Sequence, residues 1–429
     1  MLIMLIALFL VTMFLGTPIA FSMSFSAIVT NLSAGSNSLM LVAQQCYDST
    51  SNLSLLAVPF FMLAGSIMNT GGISKRLINF CRLFVGGIRG GLAIVAVLAA
   101  MIFAAISGSG PATVAALGVF MIPAMVDDGY DIGFSGALMA SAGGLGIIIP
   151  PSIPMVIYAT LAGCSVGTMF CAGIVPGIVL GLAMMVYAYV IARKNGYKPA
   201  PVNAPTFRDK AKVFVDGIPA ILMPAIILGG IYSSLFTPTQ ASGVAVIYGL
   251  VLGVFVYQEI KFADIVKMFI DSGITAASAM LIVSLADGFN WIITVNRVPR
   301  MLSDLFLGIF SSSAGILIAL IVLLTLIGCF MSVNAAMIVL TPILVPIMKS
   351  FDVSPVTLGI IMIICVSLGM VTPPFGINLF VAAGIAKVPF DCMTRHAFAL
   401  VALCLVMLLL MVFIPGIITF LPELLGMTL

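Results

Sequence analysis

Of 429 residues, 62% are hydrophobic and only 7% charged, with 17 Lys and Arg against 14 Asp and Glu. A soluble globular chain carries about 25% charged residues, so the composition excludes a soluble enzyme and gives no basic surface for a nucleic acid. With roughly 20 apolar residues per crossing, ten or more membrane spans fit.

The chain opens on an apolar run, Met1 to Ala27, without a basic leader, and reads as a retained first helix rather than a cleaved signal. Polar breaks follow at 30–52, 69–76, 126–132, 193–216, 258–271, 296–304 and 349–355. Six of the 17 basic residues fall between Arg193 and Lys212, and four between Lys75 and Arg89. Both clusters are expected on the cytoplasmic side. Counting crossings from them puts the N-terminus and 259–271 inside, and the 30–52 loop, Arg297, Arg300 and the C-terminus outside. The eight cysteines lie in apolar runs without a CxxC pair and read as small buried hydrophobes.

One stretch interrupts the apolar pattern with small residues and a proline: SGSGPATVAALGVFMIPAM, 107–125. It has a partner in FMSVNAAMIVLTPILVPIM, 330–348. Pro123 and Pro346 are 223 positions apart, as are Ser109 and Ser332, Gly146 and Gly369, Pro150-Pro151 and Pro373-Pro374, and Gly65 and Gly288. One shared Gly or Pro would be noise in a membrane protein; five landmarks at one offset define a duplicated unit. An odd number of crossings between the copies makes them inverted. Lipid forbids unsatisfied backbone, so a broken helix survives only buried in protein or beside a water-filled cavity. Matching interruptions in two halves point to a substrate site at the repeat interface of a secondary transporter. Each copy is expected to enter the membrane, break and turn back as a helical hairpin, with Ser109 or Ser332 capping the returning half-helix. The Gly-x-x-x-Pro-Pro tracts at 146–151 and 369–374 form the second break of each copy. Taken singly, each glycine reads equally as a kink or a close-packing site.

The expected organisation is therefore 1–88 as scaffold helices with an interfacial arm, and 89–192 as the first transport repeat plus a scaffold helix. Within that repeat the hairpin spans 89–125 and the broken helix 132–166. A cytoplasmic loop covers 193–216, and scaffold helices with a second arm cover 217–311. The second transport repeat is 312–390, with its hairpin at 312–348 and broken helix at 355–387, and 391–429 is a C-terminal helix.

In SGSGPATVAALG, GGLGIIIPPSIPMVIYA, TPTQASGVAVIYGL, NAAMIVLTPILVPI and GMVTPPFGINLFVA the chain resembles the large membrane subunit of the TRAP transporters, tripartite ATP-independent periplasmic carriers. The resemblance implies an all-α polytopic, elevator-type inverted-repeat fold in the bacterial inner membrane and coupling to Na+. It implies a small (Q-type) membrane subunit and a periplasmic solute-binding protein that delivers an organic acid anion. It leans to the sialic-acid branch over the C4-dicarboxylate branch. Two positions depart from the family: Gln240 stands where Glu is common in the TPTEA motif, and no acidic residue precedes the second tip near Ser332.

Sodium is a hard cation that takes oxygen ligands. The first candidate set is Ser107 and Ser109 with the carbonyls of Gly146, Ile149 and Pro151; the second, by the offset, is Ser332 with Gly369, Thr372 and Pro374. Phe330 replaces Ser107 in the second copy and Thr372 replaces Ile149, so the two sets are similar without being identical. Neither tip nor either Pro-Pro tract carries Lys or Arg, so an anion must rely on half-helix N-termini and bound sodium. The substrate candidates are Gly110, Thr113 and Ser152 in the first copy, Asn334 and Asn378 in the second. Asp287, inside an apolar span, is either a coupling residue or a partner of Asn290 near an interface.

Other functions fit less well. A serine protease at Ser109 would need a base, and the only histidine, His396, is 287 positions away (396 − 109). The GxxxxGK[ST] loop of a nucleotide-driven pump is absent. A channel, or a two-hairpin dicarboxylate or citrate carrier that works without a binding protein, stays open on the residues alone.

Overall fold

In a bilayer each segment must satisfy its own backbone hydrogen bonds, and the apolar runs do so as helices. The computed structural model describes residues 2–34, 39–85, 90–197, 207–310, 312–373 and 376–429, and all its regular elements are helical. The first half comprises α1 (Leu2–Phe14), α2 (Ile19–Ala34), α3 (Leu39–Thr50), α4 (Ala57–Thr70), α5 (Ile73–Val85), α6 (Gly91–Ser107), α7 (Gly110–Asp127), α8 (Ile132–Gly144), α9 (Ile153–Ala162) and α10 (Val166–Lys194). The second comprises α11 (Phe207–Tyr232), α12 (Pro238–Val251), α13 (Phe262–Val295), α14 (Val298–Ile309), α15 (Ser313–Phe330), α16 (Val333–Lys349), α17 (Pro355–Gly369), α18 (Ile377–Ala386), α19 (Asp391–Phe413) and α20 (Gly416–Leu424). Eight helical stretches among the described residues are long and apolar enough to span a membrane. Both α7 and α15 are in that set although they are hairpin arms. Length alone therefore does not separate a crossing from a re-entrant arm.

The 223-residue offset extends well beyond the motifs that revealed it. It carries α5 onto α14, α6 and α7 onto α15 and α16, α8 and α9 onto α17 and α18, and α10 onto α19. It also carries Leu39 to Phe262 and Thr70 to Ile293, so that α3 and α4 together match the 34-residue α13. In the first copy this helix is cut at Ser51-Asn52, where the Asn52 side chain accepts the Ser54 N–H at 3.0 Å and starts a new turn. The second copy runs through. Ser367 donates its hydroxyl to the Gly144 carbonyl at 3.0 Å across the same 223 positions, so equivalent points of the inverted repeats meet each other. The copies interlock: α7 packs on α18, and α16 on α9.

Where the chain departs from expectation, charge is the reason. The polar stretch at 258–271 breaks the apolar pattern, yet most of it is helical: the Asp264 carboxylate accepts the Lys261 N–H at 2.9 Å and helix begins at Phe262. Asp271 is thereby carried into the third turn of α13. Likewise α11 begins at Phe207, so half of the expected 193–216 loop is a charged helical extension. Lys75, Arg76 and Arg82 ride on α5, an amphipathic arm, rather than in a loop. Arg76 pairs with Glu259 at 2.6 Å and lies 3.8 Å over the Tyr257 ring, fastening this arm to the turn before α13. Burial, against the opposing pull of Arg76, pushes the Tyr257 phenol up to about 12. The C-terminal segment is two helices, α19 and α20, with Pro415 at the junction. Gln240 completes a capping box on α12: its side chain accepts the Thr237 N–H at 2.9 Å while Thr237 accepts the Gln240 N–H at 3.2 Å. Glutamine serves this purpose as well as glutamate does.

The hairpin arm α15 can lie against α17 only because Gly328 and Gly369 face each other; a methyl on Gly328 would stand 2.8 Å from the Val366 Cα. Gly328→Val is expected to destabilise the chain by about 1–3 kcal/mol through overpacking, read as a lower midpoint of thermal unfolding in detergent. An unchanged midpoint would contradict this packing.

Candidate functional site

The first hairpin breaks where its sequence prescribes. Gly108 takes a left-handed conformation (φ 59°) and its N–H closes on the Ala104 carbonyl, ending α6. Ser109 is extended, and α7 starts at Gly110 with Pro111 in its first turn. A side-chain cap from Ser109 was expected; its hydroxyl makes none. Its carbonyl is the hub instead. Thr113 donates its hydroxyl to it at 2.8 Å and Ser107 at 3.2 Å, while the two hydroxyls lie 2.7 Å apart. Gly146 covers this cluster from the broken helix: a methyl there would lie 2.6 Å from both the Ser109 carbonyl oxygen and Thr113 Oγ1. The Pro151 carbonyl reaches the same tip, 3.0 Å from where a Gly108 methyl would stand. Three oxygens of buried or part-buried residues thus converge, with glycines on two sides and no fixed charge. That is a donor set suited to a hard monovalent cation.

The second tip is built differently. Met331 is extended, Ser332 caps α16 by accepting the Ala335 N–H at 3.4 Å, and Phe330 and Ala336 occupy the positions of Ser107 and Thr113. The hydroxyl cluster has no counterpart there. Thr372 donates its hydroxyl to the Leu368 carbonyl at 2.8 Å, and Gly369 backs onto Gly328 and Cys329. Pro374 lies outside the described residues.

Both tips open on one cavity of about 420 Å³. Ser107, Ser109, Gly110, Ser332 and Asn334 line it, with the first residues of α7 and α16 presenting free N–H groups. Thr113, Ser152 and Asn378 are fully buried and do not reach the cavity wall. They support the first tip from behind. Ser152 donates to the Ile147 carbonyl at 2.7 Å. Asn378, from the second copy, donates to the Ala140 carbonyl at 3.0 Å, and both its amide atoms lie 3.3 Å from where a Gly110 methyl would be. The Ile149 side chain packs on Gly177 of α10. Asp287 also lies away from the cavity: the adjacent Gly288 packs against Val42 and Cys46 of α3. The far wall was missed altogether. It comes from the scaffold, with Ser66 and Asn69 on α4 and Asp271, Ser272 and Thr275 on α13. His396 is remote, 3.4 Å from Asp131 and edge-on to Phe134.

Two hairpins and two broken helices that meet around a polar cavity, in an all-helical membrane protein with inverted repeats, define a secondary transporter. The chain belongs to the family of the DctM component of tripartite ATP-independent periplasmic transporters, whose model matches residues 6–417. It is 41% identical to the isethionate TRAP transporter permease protein DctMQ of Oleidesulfovibrio alaskensis, over 96% of this chain and 64% of that longer protein. It is 39% identical to the C4-dicarboxylate TRAP transporter large permease protein DctM of Pseudomonas aeruginosa, over 95% of each. The sialic acid TRAP transporter large permease protein SiaM of Vibrio cholerae is 35% identical over 96% of each. The fold is also that of the crystal structure of the Alcanivorax borkumensis YdaH transporter, with a TM-score of 0.66 at 15% identity, over 87% of this chain and 86% of that one. These relatives are transporters rather than enzymes.

Gly146→Ala inserts a methyl into the oxygen cluster. If the cluster holds a cation, sodium in place of choline is expected to raise the thermal stability of the wild type in detergent, and the variant is expected to keep its fold and lose that gain. A variant stabilised by sodium as much as wild type would dissociate the cluster from cation binding.

Proposed function

We propose that the chain couples the inward sodium gradient to import of a small organic acid anion. In this reading it works in the bacterial inner membrane with a small Q-type subunit and a periplasmic solute-binding protein, its N-terminus cytoplasmic and its C-terminus periplasmic. The observation that carries the proposal is the cluster of Ser107, Thr113 and the Ser109 carbonyl, set in a cavity wall of helix N-termini without any basic side chain, with Thr113 behind it. A cation there neutralises the converging oxygens and leaves the α7 N-terminus free to bind an anion. The anion in turn shields the cation. Each must therefore raise the affinity of the other by the same factor. A second sodium is proposed at Ser332, Gly369, Thr372 and Pro374, where Thr372 stands in the place of Ile149 and offers a hydroxyl.

The two hairpins and broken helices then move as one loaded body past α4 and α13 in elevator fashion, and a half-loaded body, with its charge uncompensated, stalls. Relatives are named for isethionate, C4-dicarboxylates and sialic acid. The chain's own motifs favour sialic acid, with a C4-dicarboxylate next. A carrier that works without a binding protein is the alternative, and uptake that needs no such protein would select it. Asp287 is retained only as a proton- or sodium-coupling candidate on the scaffold.

In proteoliposomes, uptake is expected to follow an inward sodium gradient and to ignore ATP; uptake of equal rate without sodium contradicts the proposal. Ser107→Ala is expected to raise the half-saturating sodium concentration about fivefold, matching one net hydrogen bond of ~1 kcal/mol. Ser332→Ala is expected both to raise the half-saturating sodium concentration, through the lost ligand, and to lower stability by about 1 kcal/mol, through the lost cap. Equal sodium constants in Ser107→Ala and wild type would remove Ser107 from the site.

A further inference from the structure

The cavity is polarised from one wall to the other, and we infer that it selects a hydroxylated monoanion over a dicarboxylate, with Asp271 as the residue that discriminates. This rests on the anion-transport reading above and narrows it to a substrate class. On the hairpin side the wall offers donors: the opening N–H groups of α7 and α16, and the hydroxyls of Ser109 and Ser332. On the scaffold side it offers mainly acceptors. Asp271 is the one charged residue among those that line the cavity. Among the described residues it takes part in neither ion pair, and Lys267, one turn earlier on α13, does not line the cavity. Thr275, one turn later on the same face, spends its hydroxyl proton on the Asp271 carbonyl at 2.8 Å and so presents an oxygen acceptor. Across from it, Ser66 and Asn69 share one face of α4.

A ligand whose single acidic group is seated at the hairpin tips must turn its other end towards Asp271. Hydroxyls at that end donate to the carboxylate and to Thr275, and meet Asn69 as donor or acceptor. A second carboxylate at that end meets a like charge, and no basic residue lines the cavity to offset it. A plain alkyl chain strips water from the carboxylate and returns no hydrogen bond. The wall thus favours one arrangement by attraction and rejects the others by repulsion and desolvation, the two means by which specificity is built. Asp271 is a specificity-determining residue here and takes no part in the oxygen cluster proposed for sodium, which belongs to the opposite wall.

The test uses the full-length chain in detergent and three probes: D-gluconate, succinate and hexanoate. The readout is the concentration of each that half-saturates thermal stabilisation, in sodium and again in choline. In sodium, gluconate is expected to half-saturate at least about tenfold below succinate and hexanoate; Asp271→Asn should bring gluconate and succinate within about threefold, and Asp271→Glu should keep the wild-type ranking. A purely structural role for Asp271 would shift all three probes together and leave the ratio unmoved. Succinate binding as tightly as gluconate in wild type, a failure of gluconate to bind, or an unchanged ratio in Asp271→Asn each overturns the inference. Stabilisation of equal strength in choline counts instead against sodium coupling, and the gluconate-to-succinate ratio still decides the role of Asp271.

Discussion

Everything at the centre of this protein follows from one constraint: backbone polar groups cannot be left unpaired in hydrocarbon. The chain violates helical continuity four times, at Gly108-Ser109, between Gly144 and Ile153, at Met331-Ser332 and between Gly369 and Ile377. Each break frees carbonyls and N–H groups that only protein, water, ion or substrate can satisfy. Bringing the breaks together is what makes them tolerable. The hairpin tips share a cavity, and the breaks at Gly146 and Pro151 lie against the first tip within contact distance. The cavity is thus the place where the fold leaves polar backbone unsatisfied by itself.

Duplication supplies the frame, and divergence supplies the chemistry. The contact between Ser367 and Gly144, equivalent positions of the two copies, holds the centre of the interlock. Around it each returning arm leans on the other copy's second half-helix. Yet the tips are not equivalent. Ser107 and Thr113 make a hydroxyl pair in the first copy, while Phe330 and Ala336 replace them in the second. One tip is thus rich in hydroxyls, while the other is closed by a side-chain cap. The scaffold has diverged as well: the same segment is cut into α3 and α4 in one copy and left whole as α13 in the other. The two scaffold helices that face the cavity, α4 and α13, therefore carry different side chains to it.

Much of this was legible in the residues, for physical reasons. Proline fixes φ and glycine admits backbone and close approaches that other residues do not, so Pro123 with Pro346 and Gly146 with Gly369 mark the interruptions at one offset. What could not be read was depth. Thr113, Ser152 and Asn378 sit at the expected breaks, but nothing in their spacing shows that they point behind the tip rather than into the cavity. Ser109 occupies the capping position while its carbonyl, which sequence does not display, carries the site. The scaffold wall was lost for a different reason. Glu259, Lys261, Asp264, Lys267 and Asp271 together read as a polar break between spans, whereas the capping contact of Asp264 lets α13 start early and bring Asp271 to the cavity.

The central claim is that cation and anion share one electrostatic site, each completing the other's coordination. The direct measurement is a pair of titrations on the purified chain: anion affinity at a series of sodium concentrations, and sodium affinity at a series of anion concentrations. Linkage demands that the two tighten by the same factor. The account predicts a mutual gain of at least about tenfold, some 1.4 kcal/mol of coupling, that disappears in Gly146→Ala. Anion affinity that is indifferent to sodium, or a gain that survives with the oxygen cluster filled by that methyl, would contradict it.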